Sequence, residues 1–248
     1  METVATENPY GLIAALEQGG IVAQGLFGIM VLMSVVSWYI IFAKWFEQRK
    51  LLNESQDAAR KVWSSASLKE GAAKLPKNSA YRQVLDDGMR AAEHHEGQLT
   101  DQINQNDWIT ISLNRSAGLI NSRMQWGLSF LASTGAVAPF IGLLGTVIGI
   151  YRALINIGIA GQASIDKVAG PVGEALIMTA IGIGVAVPAV LGYNYLAGRN
   201  KKILERLNVF AADIHAYLLS GSSVSPTVAI KPTTTMATGT VPTKPAGK

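Results

Sequence analysis

An uncharged stretch from Met124 to Tyr151, bounded by Arg123 and Arg152, constrains this chain more than any other feature. A helix of roughly 20 apolar residues crosses the hydrocarbon core of a bilayer, so the stretch is long enough to span a membrane. A backbone in lipid has to satisfy its own hydrogen bonds, because hydrocarbon offers no partner. The stretch therefore predicts a transmembrane helix.

One face of this predicted helix has almost no side chains. Its members recur at steps of three and four, which is the period of one helix face: Gly135, Pro139, Gly142, Thr146, Gly149 and Ala153. Small residues let helix backbones approach closely in lipid. A polar group at membrane depth has to face protein or a water-filled cavity. The face predicts an intersubunit or pore-lining seam, with tight helix packing as the alternative interpretation.

The composition supports a membrane protein and excludes several other classes. Of 248 residues, 49% are hydrophobic and 15% are charged, whereas a soluble domain carries about 25% charged residues. The chain has no cysteine, which excludes disulfides and thiolate chemistry. Its three histidines show no metal-site spacing, and no nucleophile–base set is present. The net charge of +4 forms no nucleic-acid patch. We expect no enzyme, metal protein or nucleic-acid binder.

Two further uncharged stretches complete a set of three spans. The first lies between Glu17 and Lys44, and the third runs from Ala175 to Gly198. We predict transmembrane helices at 21–43, 124–154 and 171–198. The predicted fold is an all-α integral membrane protein whose three helices extend into the cytoplasm, arranged as an oligomeric helical bundle around a central lumen.

The flanking charges predict the orientation of these spans. Acids alone precede the first span, while basic residues follow the first and third spans at once and precede the second. Cytoplasmic loops carry an excess of Lys and Arg. The N-terminus is therefore predicted to be periplasmic and the C-terminus cytoplasmic. The predicted interface charges are Lys44, Arg115, Arg123, Arg199, Lys201 and Lys202.

The remaining segments connect or follow the spans. Residues 1–20 form a periplasmic segment, 44–123 a cytoplasmic helical loop and 155–170 a short periplasmic loop. Within the cytoplasmic loop we predict helices at 44–68, 81–93 and 99–123, the last running directly into the second span. Residues 199–220 form a cytoplasmic helix that Gly221 ends. Residues 221–248, rich in Thr and Pro, are predicted to be disordered.

The third span repeats the design of the second. Its small face has one threonine and follows the same steps: Ala175, Thr179, Gly182, Ala186 and Ala189. Pro139 and Pro188 lie inside their spans, where each frees a carbonyl one turn earlier. Two small faces that each hold a threonine favour a lined pathway over packing alone.

Glu174 stands at the outer mouth of the third span. It precedes Thr179 by five residues, about 140° around an ideal helix, so it leaves the threonine face unless the helix is distorted. It either faces a neighbouring subunit or caps the helix N-terminus.

Two of these runs resemble a known family. PFIGLLGTVIGIYRAL, from Pro139 to Leu154, resembles the second span of the ExbB/TolQ/MotA proton-channel family, and GPVGEALIMTAIGIGVAVPAVLGYN, from Gly170 to Asn194, resembles its third span. The resemblance is good from 115 to about 219. Three spans distinguish the chain from MotA-type members, which have four. The run GQASIDKVAGPVGEAL resembles the ExbB branch more than the TolQ branch.

The resemblance implies a function and partners. It implies a pentamer of this chain around two helices of an ExbD-like single-span protein, each with one intramembrane Asp. The assembly would use the proton motive force across the bacterial inner membrane to energise TonB, which drives import of iron-siderophores and vitamin B12. The alternatives are a TolQ-type subunit of the Tol-Pal system and a non-conducting scaffold.

The resemblance also assigns residues. The family's two pore threonines match Thr146 and Thr179, and its motif glutamate matches Glu174. No cofactor is expected, since protons are transported, and phospholipids are the candidate bound molecules. The residues add one point themselves: no span carries an acid at mid-membrane, so a proton carrier has to come from a partner.

Overall fold

The computed structural model of the chain describes residues 20–93, 104–160 and 165–221. These residues form six helices and no strands, so the prediction of an all-α protein is confirmed. The helices are α1 (Gly20–Trp63), α2 (Leu68–Ala73), α3 (Ala80–Glu93), α4 (Gln105–Gln125), α5 (Leu128–Ala160) and α6 (Ile165–Ser220). The predicted N-terminal segment, except for Gly20, and the predicted tail beyond Gly221 lie outside the described residues.

Three of the described helical stretches are long and apolar enough to cross a membrane: Gly20–Trp63, Gln105–Ile159 and Gly170–Ser220. They contain the three predicted spans. Many large apolar side chains along them are exposed in the single chain, among them Ile21, Phe140 and Leu191. Apolar exposure of this extent suits a surface that faces lipid or another protein chain.

The first and third spans continue beyond the predicted membrane boundary without interruption. Helix α1 runs on to Trp63, and α6 runs on to Ser220 with Pro171 and Pro188 inside it. Gly221 then ends α6 with φ +67°, and its N–H donates to the Tyr217 carbonyl at 2.9 Å. We call the described residues between Lys44 and Arg123 and those from Arg199 to Gly221 the extension.

The predicted loop at 155–170 differs from the structure. Helix α5 continues through Ala160 and α6 begins at Ile165, so only residues 161–164 separate the two helices, and these lie outside the described residues. The reason is that residues 155–160 offer a single helix breaker, Gly158, and are otherwise apolar except for Asn156. Adding residues to an existing helix is much easier than starting one, so α5 continues.

The third loop helix runs into the second span as predicted, but a two-residue break that was not predicted lies between them. Helix α4 ends at Gln125, Trp126 takes an extended conformation with ψ 133°, and α5 starts at Leu128. Gly127 joins them with φ +85°, a conformation that residues with a Cβ rarely adopt. A Cβ at this position would also lie 3.0 Å from Cγ2 of Ile40 on α1. The break therefore requires glycine at position 127.

The extension has its own hydrophobic core. Helix α3 places apolar residues at steps of three and four, from Tyr81 to Ala91, and they pack against α1, α4 and the end of α6. The rings of Tyr81 and Phe210 meet edge to face with centroids 5.3 Å apart. Before α3, Ser67 caps α2 by accepting from the Glu70 N–H. The Glu70 carboxylate accepts in return from the N–H of Ala66, the residue before the cap.

Helices α5 and α6 pack directly against each other in the membrane part, and glycines form the centre of this contact. A Cβ on Gly142 would lie 2.8 Å from the Met178 carbonyl oxygen, and a Cβ on Gly182 would lie 2.7 Å from the Ala138 carbonyl oxygen. The two backbones therefore touch, which a side chain on either glycine would prevent. We call this α5–α6 contact the glycine seam.

Alanine substitution tests the glycine seam. Gly182→Ala places its Cβ on the Ala138 carbonyl, whereas Gly184→Ala, two residues along the same helix, enters open space. We expect Gly182→Ala to destabilise the α5–α6 pair by about 1–3 kcal/mol, as overpacking does, and Gly184→Ala to cause no loss. Unfolding of both purified variants in a denaturing-detergent titration measures this, and equal midpoints would contradict the seam.

The buried phenol of Tyr81 predicts a pH dependence. Burial raises the pKa of Tyr81 above its ordinary value of 10.0, with the Glu54 carboxylate acting in the same direction against Ser55 and Arg206. The neutral phenol is thus favoured in the folded state. Its contribution to stability is complete below about pH 10 and is lost as pH rises through the raised pKa.

Tyr81→Phe removes the titrating group, so its free energy of unfolding should fall less as pH rises above about 10 than that of the unsubstituted chain. Denaturant unfolding at a series of pH values measures the two slopes. Parallel curves would show that Tyr81 ionises equally in both states.

Candidate pore-lining site

The two predicted threonines lie on either side of the glycine seam. The Thr179 hydroxyl on α6 donates to the Gly142 carbonyl of α5 at 3.5 Å. Thr146 is one turn beyond Gly142 on α5, and its hydroxyl donates to the Leu143 carbonyl at 2.7 Å. The structure therefore brings the two threonines to the same part of the α5–α6 pair, about one helical turn apart in depth.

Both hydroxyls can still form further hydrogen bonds in this arrangement. Each donates its proton to a backbone carbonyl of the same chain, which satisfies it within the apolar span. Each oxygen retains acceptor capacity, and a hydroxyl can rotate to donate elsewhere. Both residues are partly exposed in the single chain. A proton-carrying group on another helix could therefore exchange hydrogen bonds with either of them.

Thr134, a second threonine in the second span, was not singled out by the sequence analysis. Thr134 is 1% exposed, and its hydroxyl finds no hydrogen-bond partner among the described residues. Its position beside Gly135 on the small-residue face was the available signal. Because the residue is enclosed by its own chain, a group from a partner cannot reach it as it can reach Thr146 and Thr179.

The predicted small-residue face is mostly occupied by contact within the chain. A Cβ on Gly149 would lie 3.0 Å from the Ala175 Cβ, and one on Gly135 would overlap the Val190 side chain. Ala175 and Ala186 are buried, while Pro139 and Pro188 are half-buried. The geometry thus matches the packing interpretation for most of these residues, and a pore-lining role for them stays a prediction.

Gly145 belongs to the same contact and was also missed. A Cβ there would lie 2.9 Å from the Met178 Cβ. Gly145 is one residue off the step pattern that selected Gly142 and Gly149, because the contact is wider than one row of residues. The seam is therefore broader than the periodicity of the sequence suggested.

The predicted interface charges divide into exposed and buried groups. Arg115, Arg123, Lys201 and Lys202 are exposed. Arg199 donates to the Tyr195 hydroxyl at 2.8 Å, and its guanidinium carbon lies 5.5 Å from that ring. An Arg–Tyr pair of this kind suits the polar edge of a membrane.

Lys44 is the buried member of this set, because it is only 6% exposed. Its Nζ pairs with Glu47 at 2.8 Å and donates to the Arg123 carbonyl at 3.0 Å. The cause is the break after α4, which leaves carbonyls of the last helical turn without a helical donor. Lys44 supplies one of the missing donors.

In the ranges that the structure describes, no group of three or more His, Cys, Asp or Glu side chains converges. The Glu174 side chain is outside the described set, as are His94 and His95. The role of Glu174 therefore stays a prediction.

Comparison with known proteins gives a consistent result. The family model described as the MotA/TolQ/ExbB proton channel family matches residues 77–209. The chain is 36% identical over 204 residues to the biopolymer transport protein ExbB of Xanthomonas campestris pv. campestris, covering 79% of this chain and 81% of that protein. It is 37% identical over 209 residues to ExbB of Neisseria meningitidis, covering 82% of this chain and 95% of that protein.

A relative from another branch matches less closely. The Tol-Pal system protein TolQ of Pseudomonas aeruginosa is 30% identical over 212 residues, covering 82% of this chain and 90% of that protein. The family match includes α3, α4, α5 and most of α6, and so contains the glycine seam and both partly exposed threonines. The chain is a membrane protein that belongs to the MotA/TolQ/ExbB proton channel family.

Proposed function

We propose that the chain is an ExbB-type stator subunit that conducts protons with an ExbD-like partner and energises TonB-dependent import across the outer membrane. One observation carries the proposal: two adjacent spans place partly exposed threonines, Thr146 and Thr179, one turn apart beside a closed backbone seam. The substrates would be iron-siderophores, vitamin B12 and similar compounds. Greater identity to proteins named ExbB than to the TolQ relative supports the branch.

A partner helix is required by the chemistry of the spans. None of them carries an Asp or Glu at mid-membrane, so the chain lacks a group that could bind and release a proton there. An intramembrane Asp on a single-span partner would supply it. A threonine hydroxyl can donate to a carboxylate and accept from a carboxylic acid, so Thr146 and Thr179 can solvate the carrier in both protonation states.

The glycine seam suggests how a lumen would be lined. Gly142 and Gly182 are buried in the contact between two helices of one chain, so they are poor candidates for the lumen wall. The wall would instead be the side of the α5–α6 pair on which the threonines stay partly exposed. In a ring of this chain, proposed to be a pentamer, these sides would surround the partner helices. Glu174 would stand at the periplasmic mouth.

The proposed setting is the bacterial inner membrane, with the N-terminus periplasmic and the extension cytoplasmic. The support is the distribution of basic residues, which follow the first and third spans and precede the second. The driving force is then ~2.3 kcal/mol per proton for each 100 mV of membrane potential, in addition to the pH difference. No cofactor is needed for this function, and membrane phospholipids are the proposed bound molecules.

A TolQ-type role in the Tol-Pal system is the second candidate. The observation in its favour is the 30% identity to TolQ of Pseudomonas aeruginosa, which extends over 90% of that protein. Both roles need the same proton pathway, so the threonines do not separate them. The identity of the co-purifying partner does.

Removal of each hydroxyl tests the pathway. Thr146→Val and Thr179→Val keep the side-chain shape, and we expect both to abolish TonB-dependent uptake at a normal membrane level of the protein, because the carrier loses a hydrogen-bonding partner. The serine variants retain the hydroxyl and should retain uptake. Growth on an iron-siderophore as iron source, with immunodetection of the protein in membranes, measures both.

Thr134→Val is the matched control for these variants. It removes a buried hydroxyl from the same span that has no partner among the described residues. Such a change is nearly neutral or stabilising, and uptake should persist. Full uptake in Thr146→Val and Thr179→Val would contradict the pathway and favour the scaffold interpretation.

Purification of the tagged chain from membranes that co-express its genomic neighbours tests the partners. We expect several copies of the chain together with a single-span protein that has an intramembrane Asp, as measured by native mass spectrometry. Co-purification of TonB supports the ExbB-type role, and co-purification of Tol proteins supports the TolQ-type role. An oligomer without any acid-bearing partner would contradict proton conduction.

A further inference from the structure

The break between α4 and α5 exposes backbone groups that a continuous helix would satisfy. The last four carbonyls of a helix have no intrahelical donor, and α4 ends at Gln125. Two of these carbonyls receive donors from distant parts of the chain: Lys44 donates to the Arg123 carbonyl at 3.0 Å, and Asn200 donates through Nδ2 to the Met124 carbonyl at 3.0 Å. Helices α1 and α6 thus complete the end of α4.

Gln48 connects these two helices to each other. Its Nε2 donates to the Asn200 Oδ1 at 2.7 Å and to the Leu196 carbonyl at 2.9 Å. Gln48 is 1% exposed and Asn200 is 6% exposed. A chain of buried hydrogen bonds therefore runs from α1 through α6 to the end of α4. We call Gln48 and Asn200, with the Met124 carbonyl, the polar clamp.

A buried polar group is costly unless its hydrogen bonds are made. The bonds of the polar clamp form together only when α1, α4 and α6 take one relative position. In that position the Gln48 Oε1 alone among the clamp's side-chain atoms has no partner among the described residues, whereas other positions leave further buried donors or acceptors unpaired. Gly127 alone would let the chain turn freely at the break. The polar clamp limits that freedom, because it holds Met124, three residues before Gly127.

The polar clamp shares one helix, α6, with the threonines. Asn200 is on α6, which carries Thr179, and Met124 precedes the start of α5, which carries Thr146. The polar clamp therefore fixes the end of α4 against α6, four residues before α5 begins, while the glycine seam sets the register of α5 against α6 nearer the middle of the membrane.

We propose that Gln48 and Asn200 are positioning residues that turn the glycine break into a fixed elbow, so that α5 and the extension keep one relative direction when the pathway works. The hydrogen bonds that fix the elbow all lie within one chain. The effect of the elbow on uptake rests on the proposed function, because the elbow would hold Thr146 against Thr179 and transmit movement between the spans and the extension.

Isosteric substitution separates this role from packing. Asn200→Leu and Gln48→Met keep the volume of the side chains and remove the hydrogen bonds. Asn208→Leu, the same change at an exposed position two turns along α6, is the matched control. Asn200→Thr retains one hydroxyl that can donate to the Met124 carbonyl and accept from Gln48, so it serves as the conservative rescue.

Distances between spin labels measure the elbow directly. The chain has no cysteine, so labels on Asn114→Cys in α4 and Ser133→Cys in α5, both exposed positions, are the only ones introduced. The labelled chain is diluted with unlabelled chain in the assembled complex, and pulsed electron–electron double resonance gives the distance distribution. Uptake and the membrane level are measured for the same substitutions without labels.

We expect one narrow distance in the unsubstituted chain and in Asn208→Leu. In Asn200→Leu and Gln48→Met we expect a shifted and broadened distribution, with loss of uptake at a normal membrane level, and in Asn200→Thr a return of both. A narrow, unshifted distance in both isosteric variants would overturn the elbow. A broadened distance with full uptake would overturn its functional part.

Failure of the proposed function gives a different result. If the threonine-to-valine variants retain uptake while the polar clamp variants still broaden the distance, the pathway is wrong and the elbow stands. If Thr146→Val and Thr179→Val abolish uptake and the polar clamp variants change nothing, the pathway stands and the elbow is wrong.

Discussion

The contact between the α5 and α6 backbones at Gly142 and Gly182 is the constraint on which the rest of the membrane part depends. There is no hydrophobic drive between helices in lipid, because lipid tails are as apolar as leucine. Close van der Waals contact has to hold the pair together, and it needs positions without side chains. Once Gly142 and Gly182 are in contact, the depth of Thr146 relative to Thr179 follows, and so does the side of the pair that remains available to another helix.

The extension depends on a second constraint, which is how the chain passes the membrane boundary. Helices α1 and α6 pass it without a break, while α4 and α5 meet at Gly127. Such a break would be a weak point, because it frees carbonyls in a poorly hydrated region. Lys44 and Asn200 donate to two of them. The result is a bundle in which the membrane part and the extension share polar contacts as well as helices.

Much of the fold could be predicted, because the membrane reduces the choices available to the chain. Uncharged stretches bounded by Lys, Arg and Glu gave the three spans, and the steps of three and four selected residues that do lie in the α5–α6 contact, such as Gly142 and Gly182. The periodicity showed which residues share a face. It could not show that this face meets the other small face of the same chain, because both a lumen and a tight contact favour residues without side chains.

Other features depend on residues that are distant in sequence and could not be predicted. A Trp–Gly pair in an apolar run does not predict that the glycine will have a positive φ, so the break at Gly127 was missed. Lys44 resembles any basic residue at the end of a span, and only the free Arg123 carbonyl explains its burial. Gln48 and Asn200 gave no signal, since their contact joins residues 152 positions apart.

The sequence by itself determined that this chain is helical, crosses a membrane three times, carries two threonine-bearing small faces and has no mid-membrane acid of its own. These properties follow from composition and period, because hydrocarbon accepts few backbone structures and penalises every charge. Only the tertiary structure decided that the two small faces close on each other, which threonines remain partly exposed, and where the chain breaks and is clamped. These properties arise from the contact of residues far apart along the chain, which no local pattern records.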